Sequence, residues 1–148
     1  LGEEHPDTLI SLGNLAYEYG ELGDHETALE LKKKAYELHS KVLGEEHPDT
    51  LISLGNLAYE YGELGEYQTA LELKKKTYEL RSKVLGEEHP ATLTSLNNLA
   101  GVYDALGEHQ KAVELAGKAC EMQRREQGKK GHDGLLKRLW NWTKSLWN

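Results

Sequence analysis

The chain has no phenylalanine, one cysteine, one methionine and only three prolines in 148 residues. A lone Cys120 excludes an intrachain disulfide, which fits a reducing, cytoplasmic setting. No apolar run approaches the roughly 20 residues needed to cross a bilayer, and no basic then apolar stretch marks a secretory signal. Positive charge is scarce over most of the length. The net charge is −7, and residues 129–148 hold Lys129, Lys130, Lys137, Arg138 and Lys144 against Asp133, so the remainder carries −11. Nucleic acid is not an expected partner of so acidic a body. Motifs for chemistry are also lacking: there is no nucleophile elbow, phosphate loop or close carboxylate pair, so neither an enzyme nor a cofactor is expected and no catalytic residue is assigned.

What the chain does have is repetition. Residues 43–84 repeat residues 1–42 with five differences, Asp24/Glu66, His25/Tyr67, Glu26/Gln68, Ala35/Thr77 and His39/Arg81, and residues 85–126 repeat them in diverged form. Near identity of the first two copies points to recent duplication or an engineered array. A 42-residue period read three times predicts a solenoid, because one unit cannot bury its apolar face without a neighbour.

Each unit opens on His-Pro, at Pro6, Pro48 and Pro90. Proline suits the first helical position, where its missing N–H is not needed, and the histidine takes the capping place. Leu9, Leu12, Leu15, Ala16 and Tyr19 then fall at three-and-four spacing on a first helix, A, which Gly20 and Gly23 end. Ala28, Leu29, Leu31, Ala35, Leu38 and Val42 mark a longer second helix, B. Small residues at Ala16 and Ala28, and at the same places in later copies, let A and B cross closely. Lys32-Lys33-Lys34 is expected on the solvated outer side of B, and Cys120 is expected as a small core residue. His5, His47 and His89 are not a metal site: they stand a repeat apart, at least a helix diameter of about 10 Å, whereas metal ligands converge within about 2 Å of one ion.

Leu12, Leu15, Ala16, Tyr19, Gly23, His25, Ala28 and Ala35, with their counterparts in the next two copies, resemble the tetratricopeptide repeat (TPR). Lys32, Lys74 and Ala116 depart from it where the pattern has an aromatic. The 42-residue length and the HPDTL and LNNLA phrases are similar to the repeats of kinesin light chains. The resemblance implies an all-α, right-handed α-solenoid of three helix-turn-helix repeats (1–42, 43–84 and 85–126). It also implies a protein or peptide partner in a concave groove lined by Ile10, Gly13, Tyr17, Glu21, Ile52, Gly55, Tyr59, Glu63, Asn97 and Asp104. Kinesin light chains take acidic peptides, a preference that Glu21, Glu63 and Asp104 do not suit.

The last stretch reads as a loop over 127–133 and an amphipathic capping helix over 134–148. If His132 stands for His5, then Leu136, Leu139, Trp142 and Leu146 stand for Leu9, Leu12, Leu15 and Tyr19, as in the A helix of an unfinished fourth repeat that covers the last B helix. Leu135, Trp140 and Trp147 are left over by that alignment. Trp, Leu and Lys on opposite faces would also suit a membrane surface, but a membrane partner is not expected. Leu9, Leu12 and Ala16 at an open first repeat, together with the tail, give a second expectation: a homo-oligomer formed by head-to-tail or exchanged contacts.

Overall fold

The computed structural model describes residue 2 and residues 4–146, apart from the side chains of residues 140 and 142–146. Six helices follow one another: α1 Pro6–Glu21, α2 His25–Leu43, α3 Pro48–Glu63, α4 Tyr67–Leu85, α5 Pro90–Ala105 and α6 His109–Leu146. No strand occurs among the described residues. Each helix packs chiefly on its neighbours in sequence, the one-dimensional contact pattern of a solenoid.

Local chemistry sets the boundaries. The Nδ1 atoms of His5, His47 and His89 accept from the backbone N–H of Asp7 at 3.2 Å, Asp49 at 3.2 Å and Ala91 at 3.1 Å. Each imidazole thus satisfies a donor that the first helical turn leaves free. The A helices stop where Gly23, Gly65 and Gly107 adopt φ near +80°, a backbone region costly for any side chain. Asp24 caps α2, accepting from Thr27 N–H at 3.1 Å and from the Thr27 hydroxyl at 2.8 Å. These two bonds, the hydroxyl's first, hold the Asp24 carboxyl below its usual range. Glu66, one of the five differences, makes no such bond to α4.

Ala16, Ala28, Ala58 and Ala70 are fully buried where A and B cross, and Leu51, Leu54, Leu57, Leu93, Leu96 and Leu99 fill the space between successive repeats. Two expectations about side-chain placement change here. Leu9 and Ala16 are buried within the first repeat; the open face of α1 is instead marked by Leu15, 47% exposed, whereas its counterparts Leu57 and Leu99 are each 5% exposed. Cys120 is exposed; its counterpart Tyr36 is met by Lys76 of the next B helix, α4, and no described B helix follows α6.

The largest correction concerns the tail. Residues 127–133 form no loop: α6 runs without a break from His109 to Leu146. The segment has no proline, and its glycines stay out of the positive-φ region used at Gly44 and Gly86. Lys130 pairs with Glu126 one turn back at 2.8 Å, and Lys129 reaches Glu88 at 2.6 Å. An unbroken helix cannot fold back on itself, so Leu136 and Leu139 do not cap the last repeat and remain half exposed. The side chains of Trp140, Trp142 and Leu146, and the whole of Trp147, lie outside the described residues.

Candidate protein-interaction groove

The A helices α1 and α3 stand side by side with α2 behind them, leaving a cleft of about 520 Å³. Gly13, Tyr17, Glu21, Tyr59 and Glu63 line it, five of the residues expected there, joined by Gly20, Gly23, His25, Lys32, Asn56 and Glu60. Tyr17 and Tyr59 are exposed walls, and a Cβ added at Gly13 would meet nothing within 4 Å. Packing therefore does not require glycine at position 13, and its absent side chain leaves the floor open. Ile10 and Ile52 are exposed one turn earlier on the same helices.

The other expected positions lie apart. Gly55 borders a small recess with Lys74, Thr77, Ser95 and Asn98. Asn97 borders a second cleft of about 290 Å³ between α5 and α6. The Asp104 carboxylate accepts from His109 Nδ1 at 2.6 Å.

The back of the main cleft holds a carboxylate that the repeat pattern does not announce. Glu60 is 1% exposed and accepts from His25 Nδ1 at 2.6 Å and from Lys32 Nζ. Lys32 therefore leaves the outer face on which it was expected, while Lys33 and Lys34 stay exposed; its only sequence signal is that it replaces an aromatic of the repeat pattern. Lys32 Nζ also lies 5.5 Å from the centre of the Tyr59 ring, within cation–π range. Burial first, then the charges of Glu63, Glu60 and Glu21, push the Tyr59 hydroxyl above its usual range. The cleft is thus aromatic-walled and negative at its rim.

One repeat later the same place is built differently. Val102 replaces Glu60 and packs with Leu71 and Leu99, and Tyr67 replaces His25. Lys74, the counterpart of Lys32, loses the buried carboxylate, and burial lowers its pKa although Glu63 partly opposes this. Two more of the five differences lie at the inter-repeat seams or within the core. His39 Nδ1 meets Ser53 Oγ at 2.8 Å, whereas Arg81 donates to Ser95 Oγ at 2.7 Å and to the Ala91 carbonyl at 3.2 Å. Thr77 is buried and bonds the Leu73 carbonyl at 2.8 Å, where Ala35 has no hydroxyl.

A family model described as tetratricopeptide repeat matches residues 19–83 and again 61–125. The chain belongs to the tetratricopeptide repeat family. Among solved structures, two of a kinesin light chain-like Podosopora anserina protein with nearly identical TPR-like repeats are 36% identical to it, with TM-scores of 0.79 and 0.78. Each match covers 86% of this chain and 60% of that one, so the TPR chain spans well under the full length of these relatives. BtubC from P. vanneervenii shares the fold at 22% identity and a TM-score of 0.77, over 85% of this chain and 50% of that one. A comparison with curated proteins gives no match. Among the described residues no helix is long and apolar enough to cross a membrane, and no three His, Cys, Asp or Glu side chains are grouped to hold a metal ion.

Proposed function

We propose that this TPR chain is a non-enzymatic interaction scaffold that takes an extended peptide in the groove formed by its A helices. The observation that carries the reading is the cleft between α1 and α3, with two exposed tyrosine walls, an open glycine floor and its rear fixed by the Glu60 ion pairs. Rigid aromatic walls supply contact area at low entropic cost. The carboxylates of Glu21 and Glu63 favour neutral or basic peptides over acidic ones.

The test is selection of random dodecapeptides on the full chain, followed by titration of the enriched peptides against the chain carrying Tyr17→Ala and Tyr59→Ala. The expected loss is at least about 10-fold in affinity, the usual scale for removing an aromatic anchor. Peptides that bind both chains equally, or no enrichment at all, would sink the reading. A second reading, self-assembly, is favoured by Leu135, Leu136 and Leu139, which stand exposed on the part of α6 beyond the repeats.

A further inference from the structure

We propose that two copies of this chain exchange their C-terminal segments, residues 134–146 of each lying along the other copy's α6 where a fourth A helix would lie. The proposal rests on the self-assembly reading and is independent of the groove.

Within the solenoid each B helix receives the next A helix, α3 on α2 and α5 on α4, joined by loops of four residues that force an antiparallel arrangement. No described element lies in that place on α6. Val113 shows the consequence: it is 72% exposed, whereas its counterpart Leu71 is 4% exposed beneath α5. The missing element is present in sequence but points away. Leu136 and Leu139 occupy the sequence places of Leu51 and Leu54; the first two are 51% and 49% exposed, the last two 1% each. An unbroken 38-residue helix is about 57 Å long at 1.5 Å per residue, and it carries the tail beyond reach of its own receiving face.

The observed seams fix a register. Ser53 meets His39 in one and Ser95 meets Arg81 in the other, the same pair of repeat positions. Carried forward, that pair becomes Arg138 against the second copy's Gln123. Two antiparallel α6 helices in this register have their midpoint between Lys130 and Gly131, so a single two-fold axis places both tails at once. Such a contact is self-complementary and closes as a dimer.

The receiving face is also cut back to admit a larger helix. Lys32 and Lys33 of α2 reach over Tyr59 and Tyr61 of α3 at 5.5 and 5.3 Å from the ring centres, and Lys75 of α4 does the same over Tyr103 at 5.5 Å. On α6 the first two become Ala116 and Gly117, while the tail sequence has Trp142 in the place of Leu57 and Leu99.

The experiment uses full chains carrying Cys120→Ser and one new cysteine at an exposed position, Gln123→Cys in one batch and Arg138→Cys in the other. The batches are mixed, equilibrated and treated with a short bismaleimide, with light scattering run beside denaturing electrophoresis. Exchange predicts a covalent heterodimer from the mixture, in several-fold excess over any linked product of either batch alone. A chain carrying both cysteines should likewise link as a dimer. An internally linked monomer from that doubly substituted chain, with monomeric scattering at all concentrations, would overturn the proposal in favour of a tail that caps its own repeat. A dimer by scattering without the heterodimer link would overturn the exchange while leaving self-assembly standing through another surface.

Discussion

Glu60 and Glu18 are the same residue of the same 16-residue sequence, yet one is buried in a double ion pair and the other is exposed. A buried carboxylate is tolerated only while its cations remain, so removing one partner strands a desolvated charge. Glu60→Val should therefore lower stability by about 3 kcal/mol, while Glu18→Val should stay within about 0.5 kcal/mol of the parent. Adding Lys32→Met to Glu60→Val should recover most of the loss, since the stranded ammonium is then removed together with its carboxylate. Urea denaturation of the four chains checks this, and an unrecovered double variant would refute the ion-pair account. Lys74 gives the complementary case. Its pKa in the folded chain lies below the ordinary 10.5, so folding opposes its protonation and its cost is fully present at neutral pH. As pH rises through the folded pKa towards 10.5 the native amine loses its proton first, and stability from this group increases. Lys74→Met should thus stabilise at pH 7 by about 1 kcal/mol, allowing for solvent at the exposed part. Melting curves at pH 7 and pH 10 should show that gain shrinking at the higher pH.

Helix starts and stops were legible in sequence because they depend on neighbours a few residues away. His-Pro marks every A helix, and glycine with φ near +80° marks every A–B turn. The end of α6 was not legible. Gly128 and Gly131 read as a loop, since each costs about 1 kcal/mol in a helix relative to alanine, but without proline or a positive-φ residue the segment continues the helix from its repeat. Gly128→Ala with Gly131→Ala should stiffen this stretch, raise the helical ellipticity and increase the yield of the cross-linked heterodimer. A fall in yield would mean that the segment must bend for the tails to pack. The five differences between the first two repeats all lie at the start of or within B helices, and those at His25, His39 and Arg81 bond the A helix that follows. Sequence identity between repeats thus understates how differently the two seams are built.

In a solenoid each repeat is stabilised by its own packing and by its two seams. The helices α1 and α3 share one sequence, but only α3 has a B helix on both sides. Hydrogen exchange should therefore find α3 and α5 the slowest to open and α1 markedly faster, by at least about 10-fold, with α2 between them. Equal protection of α1 and α3 at micromolar concentration would show that the α1 face, with Leu15 and Leu22, is covered in solution. The groove belongs to this scale as well. Its tyrosines and glycines could be placed from the repeat register, but Lys32, His25 and Asn56 enter it only because α2 and α3 meet across the first seam. The sequence by itself determined the period, the helix starts and the turns, because capping and backbone sterics act within a few residues. Only the tertiary structure decided which of two identical helices buries its glutamate, whether Lys32 faces solvent or a carboxylate, and that the tail leaves the body, because burial depends on the neighbour a helix receives and not on the helix alone.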